Sequence, residues 1–395
     1  AAFNRKTNTI TFNDTEAKWY AEYAPYTFPN TKTLLWGKDA KKEFRYWMSA
    51  DGTEVFSPTN KLFESGLSET PTDIFCYDQD GNLYILWKDN SNNYKVRRFE
   101  LKDDGSYKPG VDSGTIGSGP RTPRCIAVDI SDGQNCLYYG NWDGSWQINK
   151  VSWMSDFTSL SGNGEITVPN ITEDITALAV NKDGIFVGVT EKYQDGTIDK
   201  YRLKVKKYAK TGNPATLGDE IMVGTPENTP TEPGGPSYPQ SYEKIQKSIN
   251  GLQVVDGVLY AITSRITQTY KDTSGNGDYK CDGFRSDGFL YKVGDTKAPF
   301  SSTAEELHKK EADNAAKTGY GFYRFIAVKP KKLVIASDSA YGTGGDQNPF
   351  TAKEDTNSVF EFDLDGHLQN GENGKTAGGS FSKQLGWDSG CGFAW

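Results

Sequence analysis

The stretch Tyr323–Ser339, YRFIAVKPKKLVIASDS, decides the fold. Phe325 to Val328 reads as a buried strand, Lys329 to Lys332 as a tight turn, and Leu333 to Ala336 as the antiparallel partner. The same inner hairpin recurs upstream as DIFCYDQDGNLYILWK from Asp73, CIAVDISDGQNCLYYG from Cys125, ALAVNKDGIFVGVT from Ala177 and GLQVVDGVLYAITS from Gly251. The first aliphatic of each copy, Ile74, Ile126, Leu178, Leu252 and Ile326, follows its predecessor by 52, 52, 74 and 74 residues. A fixed period lengthened by insertions is the mark of a repeat architecture.

A third apolar-polar run follows each hairpin: Tyr94–Leu101, Ser145–Trp153, Lys200–Tyr208, Gly288–Val293 and Ser358–Leu364. Three or four strands at a period of roughly 40 to 50 residues is the spacing of a β-propeller blade. Asp-Gly pairs, among them Asp80, Asp132, Asp183, Asp256 and Asp365, supply the positive-φ residues that tight hairpins need. The innermost strands are short and almost continuously apolar, as expected of strands covered on both faces.

The expected fold is therefore an all-β, six-bladed propeller, with seven as the alternative count, forming a single domain over residues 1–395. Residues 1–70 make an imperfect first blade from Thr33–Trp36, Glu43–Met48 and Glu54–Phe56. It lacks an innermost strand, which the aromatic terminus Gly386–Trp395 is expected to supply, removing the open edge of the ring. Blades two to six then begin at Asp73, Cys125, Ala177, Gly251 and Tyr323.

An aliphatic run, then Asp-Gly-Asn-Leu-Tyr or a variant, then an amphipathic strand resembles the NHL and YWTD-type six-bladed propellers over most of the chain. The blade signatures of WD40 and kelch repeats are missing, since Trp142-Asp143 is not repeated. More weakly, RFIAVKPKKLVIASD resembles segments of propeller-type surface lipoproteins of spirochaetes. The resemblance implies a secreted or surface-tethered binding protein.

Long insertions fall on blades four to six: Thr211–Tyr242, Gln268–Asp287 and Tyr341–Asn357 are read as loops, and Pro299–Tyr320 as a connection holding one short helix, Thr303–Ala316, capped by Ser302 and Glu305. Outer-to-inner and second-to-third connections of a propeller emerge on one face, so these insertions crowd that face. Long loops on a rigid scaffold carry function. The expected ligand contacts are Tyr279, Phe284, Arg285, Tyr323, Arg324, Asp338 and Tyr341, because aromatic and arginine anchors dominate binding energy.

Asp272, Ser274, Asn276 and Asp278 alternate oxygen side chains around glycine as calcium loops do, although Gly283 stands where an EF-hand needs glutamate. They are the candidate metal ligands, with calcium the one cofactor considered. Asp78, Asp80 and Asn82 look similar but lie at a blade turn. His308 and His367 read as surface residues. The alternative function is a divalent-metal-dependent propeller hydrolase or lyase at the channel mouth, where the hairpin exits place Lys88, Glu191, Ser264 and Asp338.

A net charge of −8 argues against a nucleic-acid groove. No apolar run approaches the ~20 residues of a transmembrane helix, and a leader or lipid-anchoring cysteine would lie outside the sequence. The expected location is extracellular, periplasmic or at the cell surface, with a protein or glycan ligand. Cys76, Cys125, Cys136, Cys281 and Cys391 form no close metal-binding pairs, and buried hydrophobic roles are expected for Cys76 and Cys125.

Overall fold

The computed structural model describes residues 70–370 apart from 229–240, 311–321, 344–357 and a few turn residues, together with the backbone of 2–4, 9–11, 34–39, 44–49, 56–61 and 387–394. β1 (Ala2–Asn4) and β2 (Thr9–Thr11) pair as a ribbon, and β3 (Leu34–Asp39), β4 (Phe44–Ser49) and β5 (Phe56–Lys61) follow as an antiparallel run.

Four blades of a β-propeller arrangement come next. The first, called blade two, holds β6 (Thr70–Tyr77), β7 (Leu83–Lys88) and β8 (Asn93–Phe99), with β9 (Val111–Asp112) and β10 (Gly117–Ser118) both paired to β8. Blade three is β11 (Cys125–Asp129), β12 (Asn135–Trp142), β13 (Trp146–Trp153) and β14 (Glu165–Ile171). Blade four is β15 (Asp174–Asn181), β16 (Gly184–Asp195), β17 (Ile198–Tyr208) and β18 (Leu217–Asn228). Blade five is β19 (Ser241–Val255), β20 (Val258–Asp272), β21 (Tyr279–Asp295) and β22 (Glu305–Lys310), with β25 (Tyr341–Thr343) added to β21. A further sheet orders β23 (Phe322–Lys329), β24 (Lys332–Asp338), β26 (Ser358–Asp363) and β27 (Leu368–Asn370). β28 (Trp387–Ala394) pairs antiparallel with β3, from Trp387 opposite Asp39 to Ala394 opposite Leu34.

The near-continuous apolarity of the inner strands has a direct cause. Along β11, Cys125 and Ala127 join the core shared with blade four, whereas Ile126 and Val128 join the core shared with blade two. Along β15, Leu178 and Val180 face blade three while Ala177 and Ala179 face blade five. Each face of the strand is buried, so alternation with polar residues is excluded. The same layering continues between blade five and the β23 sheet, through Tyr260, Ile262 and Leu290 against Ile326, Leu333, Ile335, Phe360 and Phe362.

Aspartates fix several turns. Asp78 Oδ1 accepts from the backbone amides of Asp80 and Asn82, both at 2.9 Å, and its Oδ2 accepts from Asn82 Nδ2 at 2.8 Å and the Tyr84 hydroxyl at 2.9 Å. Asp89 repeats the pattern with Ser91 and Asn93, and Asp363 with Asp365 and His367. These carboxylates replace backbone partners that a tight turn cannot supply. Burial raises the Asp78 carboxyl above its usual range, against the hydrogen bonds from Asn82 and Tyr84 that lower it. At Asp256-Gly257, φ of 48° and 79° form the two-residue turn between Val255 and Val258.

Two expectations fail. The helix at Thr303–Ala316 is not formed where the segment is described: Glu305–Lys310 is a strand paired from Gly288–Lys310 to Lys292–Glu305. Ser302 therefore caps no helix there, and residues 311–316 lie outside the description. A capping box contributes about 1 kcal/mol, whereas leaving the edge of β21 unpaired strands several backbone groups. The segment is further held by Ala304 N donating to Met222 O at 2.8 Å. Among the described residues the helical structure is one 3-10 turn, Phe157–Ser159.

The second failure concerns Gln268–Asp287, which is an antiparallel ribbon and not a loop. β20 and β21 stay paired from Val258–Asp295 out to Asp272–Tyr279. Thr267, Thr269 and Tyr270 have good strand propensity, so the turn is confined to a few residues after Asp272. Much of Thr211–Tyr242 is likewise strand, in β18 and the start of β19.

Candidate binding face

The second-to-third hairpins rise unequally above the blades. Cys125 opposite Gly140, Ala177 opposite Gly188 and Gly251 opposite Ile262 are equivalent rungs. Beyond them the second strand runs 2 residues in blade three, to Trp142, 7 in blade four, to Asp195, and 10 in blade five, to Asp272. At about 3.3 Å per residue these are projections of roughly 7, 23 and 33 Å. The outer-to-inner connection of blade five emerges on the same side, and β19 begins at Ser241, opposite Lys271. β25 adds to the ribbon of blade five, placing Tyr341 opposite Arg285 and Gly342 opposite Phe284.

Aromatic rings line this side. Tyr242 and Tyr270, cross-strand partners on the β19–β20 ribbon, stack at 5.0 Å between centroids and 7° between planes, and both are half-buried. On blade four the Arg202 guanidinium lies 4.3 Å from the Tyr193 ring centroid while binding the Glu191 carboxylate. On blade three, Trp142 and Trp146 face each other across the hairpin tip, edge to face at 5.2 Å. The Trp146 indole N–H donates to Asp174 Oδ1 at 3.1 Å, and the Arg124 guanidinium carbon lies 5.3 Å from the Trp146 ring centroid.

At the inner end of the face, β15, β19 and β23 shift register after Ile175, Ile249 and Tyr323. Thr176, Asn250 and Arg324 are thereby left without a partner opposite, and Arg124 holds the same place ahead of β11. A bulge here takes one residue per inner strand out of the pairing. Asn250 Nδ2 donates to Ser264 Oγ at 2.9 Å and to the Tyr323 carbonyl at 2.5 Å, tying blade five to β23.

The residues expected to contact ligand separate into two groups. Tyr279, Phe284 and Arg285 lie on the blade-five ribbon, Tyr341 on the strand added to it, and Arg324 and Asp338 on β23 and β24. Tyr323 is a correction: its ring is 0% exposed and packs 5.8 Å from Phe360, making it a core residue and not a surface contact. After the register shift that follows Tyr323, the core position passes to Ile326, which shares the same interblade cluster.

For the metal ligands, Asp272 Oδ1 accepts from the Ser274 amide at 3.0 Å and the Gly275 amide at 2.9 Å. It thus serves the ribbon turn, and Asn276 and Asp278 lie outside the described residues. His308 is also corrected: it sits on β22, half-buried, 4.7 Å from the Phe362 ring, and burial lowers its pKa. His367 is exposed and meets Asp363 Oδ2 at 3.1 Å; Asp363, Asp365 and His367 bring their ligand atoms within 4.8 Å of one another at a third-to-fourth strand turn.

Of the residues expected at the mouth, Glu191 is engaged by Arg202 and Lys204, which hold its carboxyl down at about 2, the Arg202 hydrogen bond being the larger cause. Ser264 is 2% exposed and donates to the Tyr323 carbonyl at 3.0 Å. Lys88 lies 5.7 Å from the Tyr94 ring centroid, and the Asp338 side chain lies outside the description. The Glu191 charge is thus already matched by two cations. Cys125 and Cys136 are buried and free, and Cys76 is half-buried and free.

Sequence reasoning missed the blade-three tip. Trp142 and Trp146 were legible as the two ends of an Asp143-Gly144 turn; Trp146 enters the core shared with blade four, whereas Trp142 stays exposed.

Compared by sequence, the chain matches no protein-family model and no curated protein. Solved structures similar to it include a periplasmic gluconolactonase of Pseudomonas aeruginosa, at 12% identity over 88% of this chain and 97% of that one, TM-score 0.39. An α-L-arabinanase of Penicillium chrysogenum is 11% identical over 82% and 85%, TM-score 0.41. A prolyl endopeptidase is 10% identical over 86% of this chain, which spans 42% of that enzyme, TM-score 0.36. All three TM-scores lie below 0.5, and the likenesses say nothing of the chemistry of this chain.

Proposed function

We propose that the chain is an extracellular or surface-tethered binding propeller whose contact surface is the face carrying the β16–β17 and β20–β21 ribbons. The observation that carries this reading is the unequal projection of those ribbons with aromatic rings on them. Along β20 buried residues reach Thr267 among the described ones, and fold stability gives no reason to extend the hairpin about 17 Å further to Asp272, whereas a rigid paired ribbon presents side chains at low entropic cost. A protein or glycan ligand suits a surface of tyrosine, tryptophan and arginine, residues enriched where binding energy concentrates. Neither nucleic acid nor a bound metal is part of this reading.

The scaffold beneath the face is taken as a closed six-bladed ring forming one domain. Inner strands β6, β11, β15, β19, β23 and β28 each lie against the next, and β28 lies against β6, which supports closure through the carboxy-terminal strand.

The test shortens the blade-five ribbon, replacing Thr269–Gly283 with an Asn-Gly turn between the paired residues Gln268 and Phe284. Wild-type and shortened chains are screened side by side on immobilised glycans and extracellular proteins. Loss of the wild-type partner, with unchanged circular dichroism and melting, is expected. Retained binding, lost instead on substituting Asp80, Lys182 or Asp256 at first-to-second strand turns of the opposite face, overturns the reading.

A further inference from the structure

The geometry points to a saccharide subsite for a uronate-type acidic sugar at the tip of blade three, built from Trp142, Arg124 and the polar rim beside them. This inference rests on the proposed binding face and names a ligand class for one part of it.

Three observations converge. Trp142 is 46% exposed although its cross-strand partner Trp146 is 5% exposed, so one indole of the pair is held in water by the other. Trp146 cannot swing away, because its N–H is bound by Asp174 of the next blade. Trp142 is therefore a braced, flat apolar surface on a two-rung hairpin tip. An indole face accepts the C–H side of a pyranose ring, which is apolar, flat and of matching size.

Arg124 supplies charge. It is exposed, stacks over Trp146 at 5.3 Å, and meets no carboxylate within ion-pair distance among the described residues. Stacking fixes the guanidinium plane while leaving its edge donors available, the geometry that binds a carboxylate through two parallel hydrogen bonds.

The rim then distinguishes a sugar from other anions. Ser145 Oγ and Asn170 Oδ1 lie 3.5 Å apart beside Trp146, Asn170 is exposed, and Asp174 keeps a second carboxylate oxygen beyond the one bound to the indole. Amide, hydroxyl and carboxylate groups around an indole match vicinal hydroxyls. An acidic peptide would use Arg124 and leave these groups and the indole face unmatched. Blade four rises five residues higher than this tip, roughly 17 Å, so the subsite lies on a low step beside a taller ribbon.

The experiment titrates the full chain with a tetrasaccharide of uronic acid units and, in parallel, with the corresponding neutral tetrasaccharide and a tetraglutamate peptide, by isothermal calorimetry. The acidic saccharide is expected to bind at least about tenfold more tightly than the neutral one, the worth of one charge-assisted pair. Trp142→Ala and Arg124→Gln should each weaken it by about tenfold or more with unchanged melting, and Arg124→Gln should abolish the preference over the neutral sugar. Equal affinity for both sugars, equal or tighter binding of tetraglutamate, binding that survives Trp142→Ala, or no binding overturns the inference. The ribbon-shortened chain separates the two readings. Saccharide binding that persists there but is lost in Trp142→Ala leaves the subsite standing without the taller ribbon, whereas a screened partner lost only with the ribbon leaves the binding face standing without the subsite.

Discussion

Replacing Tyr323 by Phe removes one oxygen from a site that offers it nothing. The Tyr323 ring is 0% exposed, its hydroxyl has no hydrogen-bond partner among the described residues, and burial pushes the phenol pKa well up, so the group is neutral at any working pH. A buried polar group without a partner costs about 1 to 3 kcal/mol relative to water, whereas the ring itself contributes packing against Phe360. Tyr323→Phe should therefore stabilise the fold by about 1 kcal/mol, and Tyr323→Ala should destabilise it by about 3 to 5 kcal/mol through loss of the ring. With 395 residues and an unfolding entropy of about 2.1 cal/mol/K each, 1 kcal/mol moves the melting midpoint by about 1 °C. The assay is differential scanning calorimetry of the three chains in one buffer, supplemented by urea midpoints. A lower midpoint for Tyr323→Phe than for wild type would mean that the hydroxyl is bonded, and would refute the reasoning. Loss of binding by Tyr323→Phe at unchanged stability would restore the tyrosine to the contact surface.

Glu191 gives a pH signature: its folded carboxyl is depressed to about 2, so its contribution is full above the unfolded value of about 4.3 and is lost as pH falls from there through 2, and Glu191→Gln should flatten that acid limb by about 1 kcal/mol, the worth of a largely solvent-screened pair; an unchanged acid limb by urea titration would remove the role. Gly251→Ala should cost about 1 to 3 kcal/mol in denaturant midpoint, because a Cβ there meets Ile326 Cγ2 at 2.9 Å and Ile262 Cγ1 at 3.3 Å, whereas Gly218→Ala, whose nearest contact is at 3.6 Å, should be neutral; equal costs at the two sites would contradict the close approach of the inner strands.

The propeller was legible because its determinants are local and repeated. Ile126, Leu178, Leu252 and Ile326 recur before a turn, and all four are buried. The Asp-Gly dipeptides marked hairpins for the same reason, since only a few residues tolerate positive φ. What misled was competition between local and distant partners. Ser302 to Lys310 carries good helix formers and a capping box, but the open edge of β21 is not visible in that segment, and pairing with it decides the outcome. Gln268–Asp287 read as a loop because its Gly and Asp residues cluster, although they fall at and beyond the ribbon turn and leave the flanking strands intact. Tyr323 read as exposed because aromatics beside insertions attract a binding interpretation; the register shift after it is a backbone property that composition does not carry. Trp142 and Arg124 were passed over because they stand on a compact blade, away from the long insertions.

The alternation of inner-strand residues toward both neighbours has a consequence for how the chain acquires its structure. Cys125 and Ala127 belong to one layer and Ile126 and Val128 to another, so no single blade possesses a core of its own. A single blade excised from the chain would expose apolar side chains on both faces and gain nothing from its hairpins, which by themselves are marginal in water. Two adjacent blades share one complete layer, and that pair is the smallest unit able to nucleate. Stability then grows by one layer per added blade, as in a nearest-neighbour chain, and the hairpin tips lie outside this coupling. Trp142 and the blade-five ribbon can therefore change in length and composition without touching the terms that join one blade to the next.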